Sequence, residues 1–347
     1  MRIENRDIGR AYPPFIIAEM SGNHNQSLDR ALAIVDAAAS TGAHAIKFQT
    51  YTADTMTINV REREFVIDDP TSLWHGRNLY DLYNDAHTPW EWHPPLFARA
   101  RDLGLIPFST PFDETAVDFL ETLDTPCYKI ASFENTDITL IRKAAATGKP
   151  LIISTGMASV AELDAAVRAA REAGANDIVL LKCTSAYPSS PRAANVSTIP
   201  HMRELFGCEV GLSDHTSGIG VAVASVAMSA SVIEKHFTLR RADGGVDSAF
   251  SLEPQEMAAL VAETLRAWES VGSVIYGSSK DDERSKMFRR SLYIVEDSNA
   301  GDVLTSRSVR AIRPGLGLPP VEMNRVLGRK LSRAVPRGTP LSWDMLL

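Results

Sequence analysis

Two histidines, His215 and His236, are the residues whose type and spacing point most directly to chemistry. His215 follows the apolar run at 210–213, and His236 ends the run at 231–236. A short segment of small residues separates the runs, which predicts a βαβ unit with two adjacent parallel strands. Because α/β folds carry their chemistry at the carboxyl ends of strands, we expect the two imidazoles to converge. They would form the protein part of an exchangeable metal site.

The alternative is that each histidine only forms a structural hydrogen bond. Their pairing at equal depth on neighbouring strands, beside Ser213 and Asp214, favours the metal. Strand alternation also puts Glu234 on the same face as His236. Structural zinc sites take four protein ligands, whereas only two are visible here. Water and substrate oxygens would therefore complete the coordination shell.

Lysines, carboxylates and hydroxyl residues stand at the carboxyl ends of the other predicted strands. These are Glu19, Lys47, Gln49, Ser109, Thr110, Lys129, Ser132, Glu134, Ser154, Thr155, Thr184, Ser185 and Tyr187. Lysine supplies a point charge and hydroxyls donate to phosphate oxygens, so a small phosphorylated acid is the expected ligand. Lys47 and Lys129 would otherwise be unpaired charges inside a barrel. Helix capping is the alternative role for Ser109, Thr155 and Ser213.

The elements that must position these residues alternate regularly. Apolar runs and helical segments follow one another from residue 15 to residue 271, with eight predicted strands. Besides the two that carry the histidines, the predicted strands are 15–20, 44–50, 106–110, 127–132, 151–155 and 178–184. The expected fold class is therefore α/β, a (β/α)₈ TIM barrel. No glycine-rich phosphate loop is present, so a nucleotide is not indicated.

The alternation pauses between residues 52 and 93. This stretch contains Trp74, Trp90 and Trp92 but no helical or strand period. Loops of this length inside a compact domain are usually functional, and one that follows a strand would lie over the active face. We expect its tryptophans to pack within a lid rather than to stack on a ligand.

The last part of the chain differs in character. A polar, charged stretch at 278–290 predicts a linker after a catalytic domain at 1–277. Residues 291–347 are rich in glycine and proline and predict a small β-rich domain. Its short predicted strands are 291–295, 301–304, 309–313 and 327–334. A domain of this size is marginal alone and gains from packing on something larger.

Composition excludes several classes of protein. The 347 residues carry a formal net charge of −7 without a basic run, which argues against a nucleic-acid partner. The three cysteines, Cys127, Cys183 and Cys208, fall in predicted strands and are expected to be reduced core residues. No signal peptide and no run of membrane length is apparent, so we expect a cytoplasmic protein without a membrane partner.

Several stretches together resemble the sialic acid synthase family, which condenses phosphoenolpyruvate with an amino sugar. They are Ile-Ala-Glu-Met-Ser-Gly-Asn-His-Asn-Gln-Ser-Leu, Ile-Lys-Phe-Gln-Thr-Tyr-Thr-Ala-Asp-Thr-Met-Thr, Tyr-Lys-Ile-Ala-Ser-Phe-Glu-Asn, Gly-Leu-Ser-Asp-His-Thr and Ile-Glu-Lys-His-Phe-Thr. The segment with Ile-Arg-Pro-Gly-Leu-Gly resembles the antifreeze-like (SAF, β-clip) domain that completes this family. The resemblance covers essentially the whole chain. The stretches 19–25, 88–93 and 241–251 look most like the pseudaminic acid branch, whose acceptor is 2,4-diacetamido-2,4,6-trideoxy-L-altrose.

The resemblance implies a role for each matching residue. His215 and His236 match ligands of Mn²⁺ or Mg²⁺, although imidazoles alone would favour zinc or a later transition metal. The residues that match phosphoenolpyruvate contacts are Lys47, Thr110, Lys129, Ser132, Ser154 and Ser213. Those that match the acceptor side are Glu19, Gln49, Tyr187 and Asp247. Glu134 matches a group that handles protons, and the expected catalytic residues are Glu134, Lys129 and Glu19.

Two further positions bear on specificity and assembly. Ser185 stands where N-acetylneuraminate synthases commonly have asparagine, so its substrate contact differs and plain N-acetylneuraminate synthesis is disfavoured. Arg313 matches an arginine that reaches the site of a neighbouring subunit, which implies a domain-swapped homodimer. Arginine suits forked contacts with acyl or carboxylate oxygens. A solvated surface residue is the alternative.

The implied reaction joins the enol carbon of phosphoenolpyruvate to the aldehyde of the open-chain sugar, and phosphate leaves by C–O cleavage. N-acetylneuraminate and legionaminate synthesis remain alternatives within the family. Outside it, the alternatives are a Schiff-base aldolase that uses Lys47 or Lys129, and a non-catalytic carbohydrate-binding protein.

Overall fold

Eight parallel strands close into a barrel in the computed structural model, which describes residues 1–347. A short hairpin, β1 (Arg2–Ile3) and β2 (Arg6–Asp7), precedes it. The barrel strands are β3 (Phe15–Glu19), β4 (Ala45–Thr50), β5 (Ile106–Pro111), β6 (Tyr128–Ile130), β7 (Leu151–Ser154), β8 (Ile178–Cys183), β9 (Glu209–Ser213) and β10 (Val232–His236). They pair in chain order, and β10 closes the barrel against β3. The predicted (β/α)₈ barrel is confirmed.

Helices follow the strands and pack outside them. They are α1 (Leu28–Ser40), α2 (Ala53–Met56), α3 (Leu79–Ala86), α4 (His93–Asp102), α5 (Glu114–Glu121), α6 (Ile138–Ala145), α7 (Val160–Glu172), α8 (Thr198–Phe206), α9 (Gly220–Ala227) and α10 (Pro254–Val271). Side-chain caps define where several of them begin: at α1, the side chain of Ser27 accepts from the N–H of Arg30. None of the helices is both long and apolar enough to cross a membrane.

Apolar residues fill the barrel interior toward the amino-terminal ends of the strands. The polar residues that could do chemistry are therefore confined to the carboxyl-terminal end. Ile17, Phe108 and Leu181 lie in this interior cluster, and Ile3 and Ile8 from the N-terminal hairpin cover it. A separate, larger cluster lies between strands and helices. The barrel is thus a packed core and not a pore, as barrels of eight strands are.

The register of the strands brings polar residues to one level. His236 pairs with Glu19 across β10 and β3, and Glu19 pairs with Lys47 across β3 and β4. On the other side of β10, Glu234 pairs with Ser213. The strand order therefore converts residues far apart in sequence into neighbours around the carboxyl-terminal mouth.

Gly211 allows β9 and β10 to approach each other closely. A Cβ at this position would lie 2.2 Å from the carbonyl oxygen of Val232 and 2.8 Å from Leu181 Cδ2. Any side chain would push these strands apart, so glycine is required by packing. The close approach carries His215 and His236 toward each other at the strand ends.

The segment between β4 and α4 has little regular structure, as predicted, but it contains two short helices that we did not predict, α2 and α3. Asn78 caps α3 by accepting from the N–H groups of Tyr80 and Asp81. Two tryptophans pack as expected of a lid: Trp90 stacks on a phenylalanine of α5 at 4.8 Å between ring centroids, and Trp92 contacts a histidine edge-on.

The chain divides into two compact units, Met1–Gly272 and Ser273–Leu347. In the second unit, β11 (Ser291–Ile294) and β12 (Val309–Ile312) form an antiparallel pair, and α11 spans Met323–Val326. The predicted strands at 301–304 and 327–334 are wrong. Those segments form only isolated bridges, such as Val303 with Lys330, because turns interrupt each of them.

Candidate active site

A cavity of about 630 Å³ lies at the carboxyl ends of the barrel strands. Its floor is polar and comes from the strand ends. The lining residues that we predicted as site residues are Glu19, Lys47, Gln49, Lys129, Ser132, Glu134, Ser154, Ser185, Tyr187, Ser213, His215, His236 and Asp247. The fold thus brings together nearly the whole expected set.

Two lysines and two glutamates form the centre of the floor. Lys47 Nζ lies 2.5 Å from Glu19 Oε2 and 3.8 Å from Glu234 Oε1. Lys129 Nζ also lies 3.8 Å from Glu234 Oε1. All four side chains are almost completely buried. Glu234 therefore sits between the two ammonium groups and holds them in a fixed arrangement.

Burial and mutual attraction set the charges of this cluster. Burial raises the pKa of Glu19 to about 7, against the opposing attraction of Lys47. Burial would lower the pKa of Lys47, but Glu19 and Glu234 outweigh it and the pKa is raised. Burial lowers the pKa of Lys129, since Glu234 offsets it only in part. Lys47 is thus the firmly charged lysine, and Lys129 is the more easily deprotonated one.

Hydroxyl groups hold each lysine in position. Lys47 Nζ donates to Thr110 Oγ1 at 3.1 Å, and Lys129 Nζ donates to Ser154 Oγ at 2.7 Å. Ser213 Oγ donates to Glu234 Oε1 at 3.3 Å. Long flexible side chains are costly to immobilise, and these contacts fix them before any ligand arrives.

Gly156 packs closely against Ser132 and Ser185. The backbone N–H of Gly156 donates to Ser132 Oγ at 3.1 Å, and a Cβ on Gly156 would lie 2.1 Å from Ser185 Oγ. Ser185 Oγ is buried without a hydrogen-bond partner. A buried hydroxyl without a partner costs free energy unless a ligand or water satisfies it, so Ser185 is available to a bound molecule.

The two histidines meet at the rim of the floor. Their ring centroids lie 5.3 Å apart, at an angle of 66°. His215 Nδ1 donates to the carbonyl of Thr184 at 3.0 Å, which leaves the lone pair of its Nε2 for a ligand. Burial lowers the pKa of His236 well below its ordinary value, so His236 is a neutral imidazole.

These residues fit an exchangeable metal ion. His236 Nδ1 is buried without a hydrogen-bond partner, and it lies 3.8 Å from Asp247 Oδ2. Neutral imidazoles with free lone pairs are common ligands of divalent metals. No group of three or more histidine, cysteine, aspartate or glutamate side chains is arranged to hold a metal. The donor set is therefore that of an open site and not of a closed structural one.

Aromatic and amide groups surround the histidines. Tyr187 lies 4.3 Å from His215 between ring centroids, and Trp74 donates from Nε1 to the carbonyl of Val246 at 3.0 Å. Gln49 Nε2 donates to Glu19 Oε1 at 3.0 Å and to Ser21 Oγ at 3.1 Å. Ser21 in turn donates to Asp247. A continuous hydrogen-bonded row thus joins Glu19 to the acid beside His236, a row in which Ser21 was not predicted.

Glu134 lies on the same cavity, next to Ser132 in the turn after β6. Burial raises its pKa to about 7, against the attraction of Lys129. Its Oε2 is buried without a hydrogen-bond partner. A carboxyl group that titrates near neutrality suits proton transfer at physiological pH.

The remaining wall of the cavity comes mainly from the segment between β4 and α4, which contributes many apolar residues beside the polar Asp69, Thr71 and Ser72. Its apolar members are Met56, Ile67, Trp74, Leu79, Leu82, Tyr83, Ala86, Phe112 and Phe133. We call this set the apolar wall. It faces the charged floor, so a ligand that fills the cavity must be polar on one side and carry alkyl or acyl groups on the other.

Some predicted residues lie elsewhere. Thr110 is buried beneath Lys47 and does not line the cavity. Asp214 points away from the histidines and pairs with Lys235 at 3.0 Å, which corrects our expectation that it lies beside them. Arg313 belongs to the second unit, where it is exposed directly after β12. Thr155 Oγ1 donates to the carbonyl of Leu181, a structural contact.

Besides Ser21, two residues of the site received no role from the sequence. Glu234 lies at the centre of the site. It precedes His236 by two residues on β10 and so points to the same face, which was the signal that could have identified it. Cys183 was expected to be an ordinary core residue, but it lines the cavity with Sγ 3.9 Å from His215 Nδ1. Burial would raise the pKa of this thiol, but His215, Ser132 and Lys129 lower it to about 7. Cys127 and Cys208 directly precede strands, and all three cysteines are free.

Comparison with known proteins agrees with this arrangement. Residues 34–276 match the NeuB family, and residues 289–347 match the SAF domain. A pseudaminic acid synthase of Helicobacter pylori is 43% identical over 333 residues, covering 96% of this chain and 97% of the relative. An N,N'-diacetyllegionaminic acid synthase of Legionella pneumophila is 35% identical, covering 97% of this chain and 95% of the relative.

A solved structure is similar in three dimensions as well. It is an N-acetylneuraminic acid synthetase from Leptospira borgpetersenii in complex with citrate, 32% identical, with a TM-score of 0.74. The match covers 82% of this chain and 94% of that chain. The barrel, its strand-end residues and both sequence matches lead to one assignment. The chain belongs to the NeuB family and ends in a SAF domain.

Proposed function

We propose that this protein is a pseudaminic acid synthase. It condenses phosphoenolpyruvate with 2,4-diacetamido-2,4,6-trideoxy-L-altrose and yields pseudaminic acid and phosphate. The observation that carries this proposal is the 43% identity to a pseudaminic acid synthase over nearly the full chain, against 35% to a legionaminic acid synthase. The charged floor and the apolar wall support it independently.

The floor supplies what phosphoenolpyruvate requires. This substrate carries a phosphate and a carboxylate, and Lys47 and Lys129 offer two positioned ammonium groups with hydroxyl partners. Ser132 and Ser154 add hydroxyl donors for phosphate oxygens. Because these groups are held in place before binding, orientation contributes much of the expected rate gain.

The apolar wall supports a sugar that is deoxygenated and acylated. The proposed acceptor has a methyl group at carbon 6 and two acetamido groups, all of which present alkyl surface. Leu79, Leu82, Tyr83 and Phe112 would cover such groups, whereas a fully hydroxylated chain would leave its hydroxyls without partners against them. Asp247, Gln49 and Tyr187 remain for the sugar hydroxyl and amide groups.

A divalent cation, Mn²⁺ or Mg²⁺, would bind to His215 and His236. When bound, it would supply a Lewis acid that polarises the aldehyde of the open-chain sugar. Asp247 lies next to His236 and would orient that imidazole or a coordinated water.

The chain's own residues account for the remaining steps. The lysines hold phosphoenolpyruvate so that its third carbon bonds to the aldehyde carbon, while the aldehyde oxygen takes up a proton and becomes a hydroxyl. Water then adds to the second carbon of the former enol and loses a proton to Glu134, whose pKa of about 7 suits a base. The C–O bond to phosphate then breaks, the remaining hydroxyl proton passes to the departing phosphate, and a ketone forms. The two protons of the added water thus balance the new sugar hydroxyl and the hydrogen phosphate.

The test is release of inorganic phosphate from phosphoenolpyruvate with a panel of acceptors. We expect 2,4-diacetamido-2,4,6-trideoxy-L-altrose to be used at least about 100-fold better, by kcat/KM, than N-acetylmannosamine or the legionaminate precursor. Equal use of N-acetylmannosamine would end the pseudaminate assignment. If none of the acceptors in the panel supports phosphate release, the substrate is a different sugar. Sugar binding without phosphate release would indicate a binding protein.

One observation favours a second candidate, a Schiff-base aldolase. Burial lowers the pKa of Lys129, as nucleophilic lysines require. Borohydride with substrate would then trap a covalent adduct on this lysine. We expect no adduct, because Lys129 is hydrogen-bonded to Ser154 and lies close to Glu234.

We also propose that the enzyme acts as a homodimer in which the SAF domain of one chain serves the barrel of the other. Arg313 would then contact an acyl or carboxylate oxygen of the substrate in the partner's site. Its exposure in its own unit, and its distance in sequence from every strand end, support this role. Because phosphoenolpyruvate is made inside cells, the reaction is proposed to occur in the cytoplasm.

A further inference from the structure

A buried lysine on the outer face of β10 carries a further inference. Lys235 directly precedes His236, and strand alternation turns its side chain away from the cavity. The side chain is completely buried. Its Nζ donates to Asp214 Oδ2 at 3.0 Å, to the carbonyl of Thr216 at 2.6 Å and to the carbonyl of Gly218 at 2.9 Å. Every proton of the ammonium group therefore has an acceptor.

Asp214 completes the arrangement from the other strand. It directly precedes His215, and its Oδ1 accepts from the backbone N–H of Thr216 at 2.9 Å. The backbone N–H of Asp214 donates to the carbonyl of Glu234 at 3.0 Å. This is the last backbone hydrogen bond from β9 and its following loop to β10. His215 thus lies beyond the paired part of β9. Lys235 supplies the hydrogen bonds from β10 to this loop, and the N–H of Ser189 donates to the carbonyl of His215 at 3.0 Å from the loop after β8.

We propose that Lys235 is a positioning residue for the metal site. Lys235 and Asp214 form a brace, here called the outer brace, that fixes His215 relative to His236. Two imidazoles bind one ion well only when their separation is held closely, and loss of groups behind metal ligands lowers metal affinity. The inference rests on the proposed metal site and adds to it a residue that touches neither metal nor substrate.

The same two strands offer a matched control at their other end. Arg203, on α8, donates to Glu209 Oε2 at 3.1 Å, to the carbonyl of Val210 at 3.1 Å and to the carbonyl of Ser229 at 2.8 Å. Like Lys235, it joins one carboxylate and two carbonyls across the β9–β10 pair. It does so at the amino-terminal ends, far from the histidines, so its loss affects stability without touching the metal site.

The experiment measures the Mn²⁺ dissociation constant of the substrate-free full-length protein from the electron paramagnetic resonance signal of free Mn²⁺. The variants are Lys235→Met, Asp214→Asn/Lys235→Met and Arg203→Met, each with its melting temperature. The double variant leaves no unpaired buried carboxylate, so it preserves the fold if Lys235→Met does not. We expect both Lys235 variants to raise the dissociation constant at least about tenfold and Arg203→Met to change it less than about twofold.

Three other results would each overturn the proposal, and each would do so for a different reason. Wild-type Mn²⁺ affinity in the double variant would reduce the outer brace to a structural contact. An equal loss of affinity in Arg203→Met would assign the effect to general destabilisation. A wild-type protein that binds no Mn²⁺ would remove the metal site itself, and with it the role of Lys235, while phosphate release would still test the proposed reaction separately.

Discussion

Glu19 and Lys47 face each other across the β3–β4 ladder, with Oε2 and Nζ 2.5 Å apart and both side chains buried. Removing two charges from water is expensive, so such a pair stabilises a fold little or not at all. Breaking it by removing one partner costs about 3–5 kcal/mol, because the other charge is left buried. The pair is therefore better explained by what it does for a charged ligand than by stability.

Lys47→Met is expected to lower kcat/KM for phosphoenolpyruvate by about 100-fold or more, since charge-assisted hydrogen bonds to the substrate are lost. It should also lower the melting temperature. Glu19→Gln/Lys47→Met removes both charges and separates the two effects. Lys182→Met is the matched control: Lys182 lies on β8, outside the cavity, and bonds only to a backbone carbonyl. Unchanged kinetics in the Lys47 variants would contradict the assignment of the floor.

His236→Ala is expected to abolish turnover while the protein stays folded, because the residue lies at a strand end and not in the packed interior of the barrel. A chelator should inactivate the wild type in the same way, and Mn²⁺ should restore it. His201 is exposed on α8, and His201→Ala should behave as wild type throughout. Near-native rates in a His215→Ala/His236→Ala protein would show that the reaction needs no metal at these residues.

Glu134→Gln is expected to stabilise the protein at high pH although it impairs turnover. The folded-state pKa of Glu134 is about 7, against an ordinary value of 4.5. Between these values the folded state retains a proton that the unfolded state has released, so Glu134 costs stability as pH rises through this window. The cost is complete above pH 7 and amounts to about 1–3 kcal/mol.

Melting temperatures at pH 5 and pH 8 check this prediction. The gain of Glu134→Gln over the wild type should be larger at pH 8 than at pH 5. Glu162→Gln, on the exposed surface of α7, provides a comparison in which burial plays no part. A gain at pH 5 that equals the gain at pH 8 would be inconsistent with a raised pKa.

Mixing two inactive proteins tests the swapped dimer. Lys129→Ala damages the barrel, and Arg313→Ala damages the SAF domain. In a mixed dimer, one intact barrel is served by one intact Arg313, so part of the activity should return as subunits exchange. Lys47→Ala mixed with Lys129→Ala should remain inactive, because both lesions lie in barrels. Exchange demonstrated by labelled subunits without any recovery would mean that each chain serves itself.

Much of the barrel was predictable because each strand combines an apolar run with a polar residue at its carboxyl end. The predicted strands at 15–20, 44–50 and 106–110 match β3, β4 and β5 to within one residue at each end. The alternation of side chains along each strand explains where our predictions about the site were wrong. Ser213 and His215 face inward, so Asp214 between them must face outward. The same alternation turns Cys183 inward after Val179 and Leu181, and Thr110 inward beneath Lys47.

Other features depend on contacts that no local pattern encodes. Ser21 joins Gln49 to Asp247 only because β3 and β4 are adjacent and the loop after β10 folds over them. In the second unit, glycine and proline punctuate segments whose apolar residues suggested strands. The backbone there turns before a ladder forms, so composition predicted the β-rich class but not the number of strands.

The division of the cavity between a strand-built floor and a wall from one inserted segment has an evolutionary consequence. The groups that break and form bonds come from many strands, so altering the chemistry would require substitutions in several strands at once. The wall, in contrast, is largely encoded by residues 52–92. Recombination or exchange of this single segment would alter which sugar is accepted while the chemistry stays intact. Related enzymes with different products are then accessible through one short stretch of DNA, and the same stretch is the natural place to redesign the enzyme.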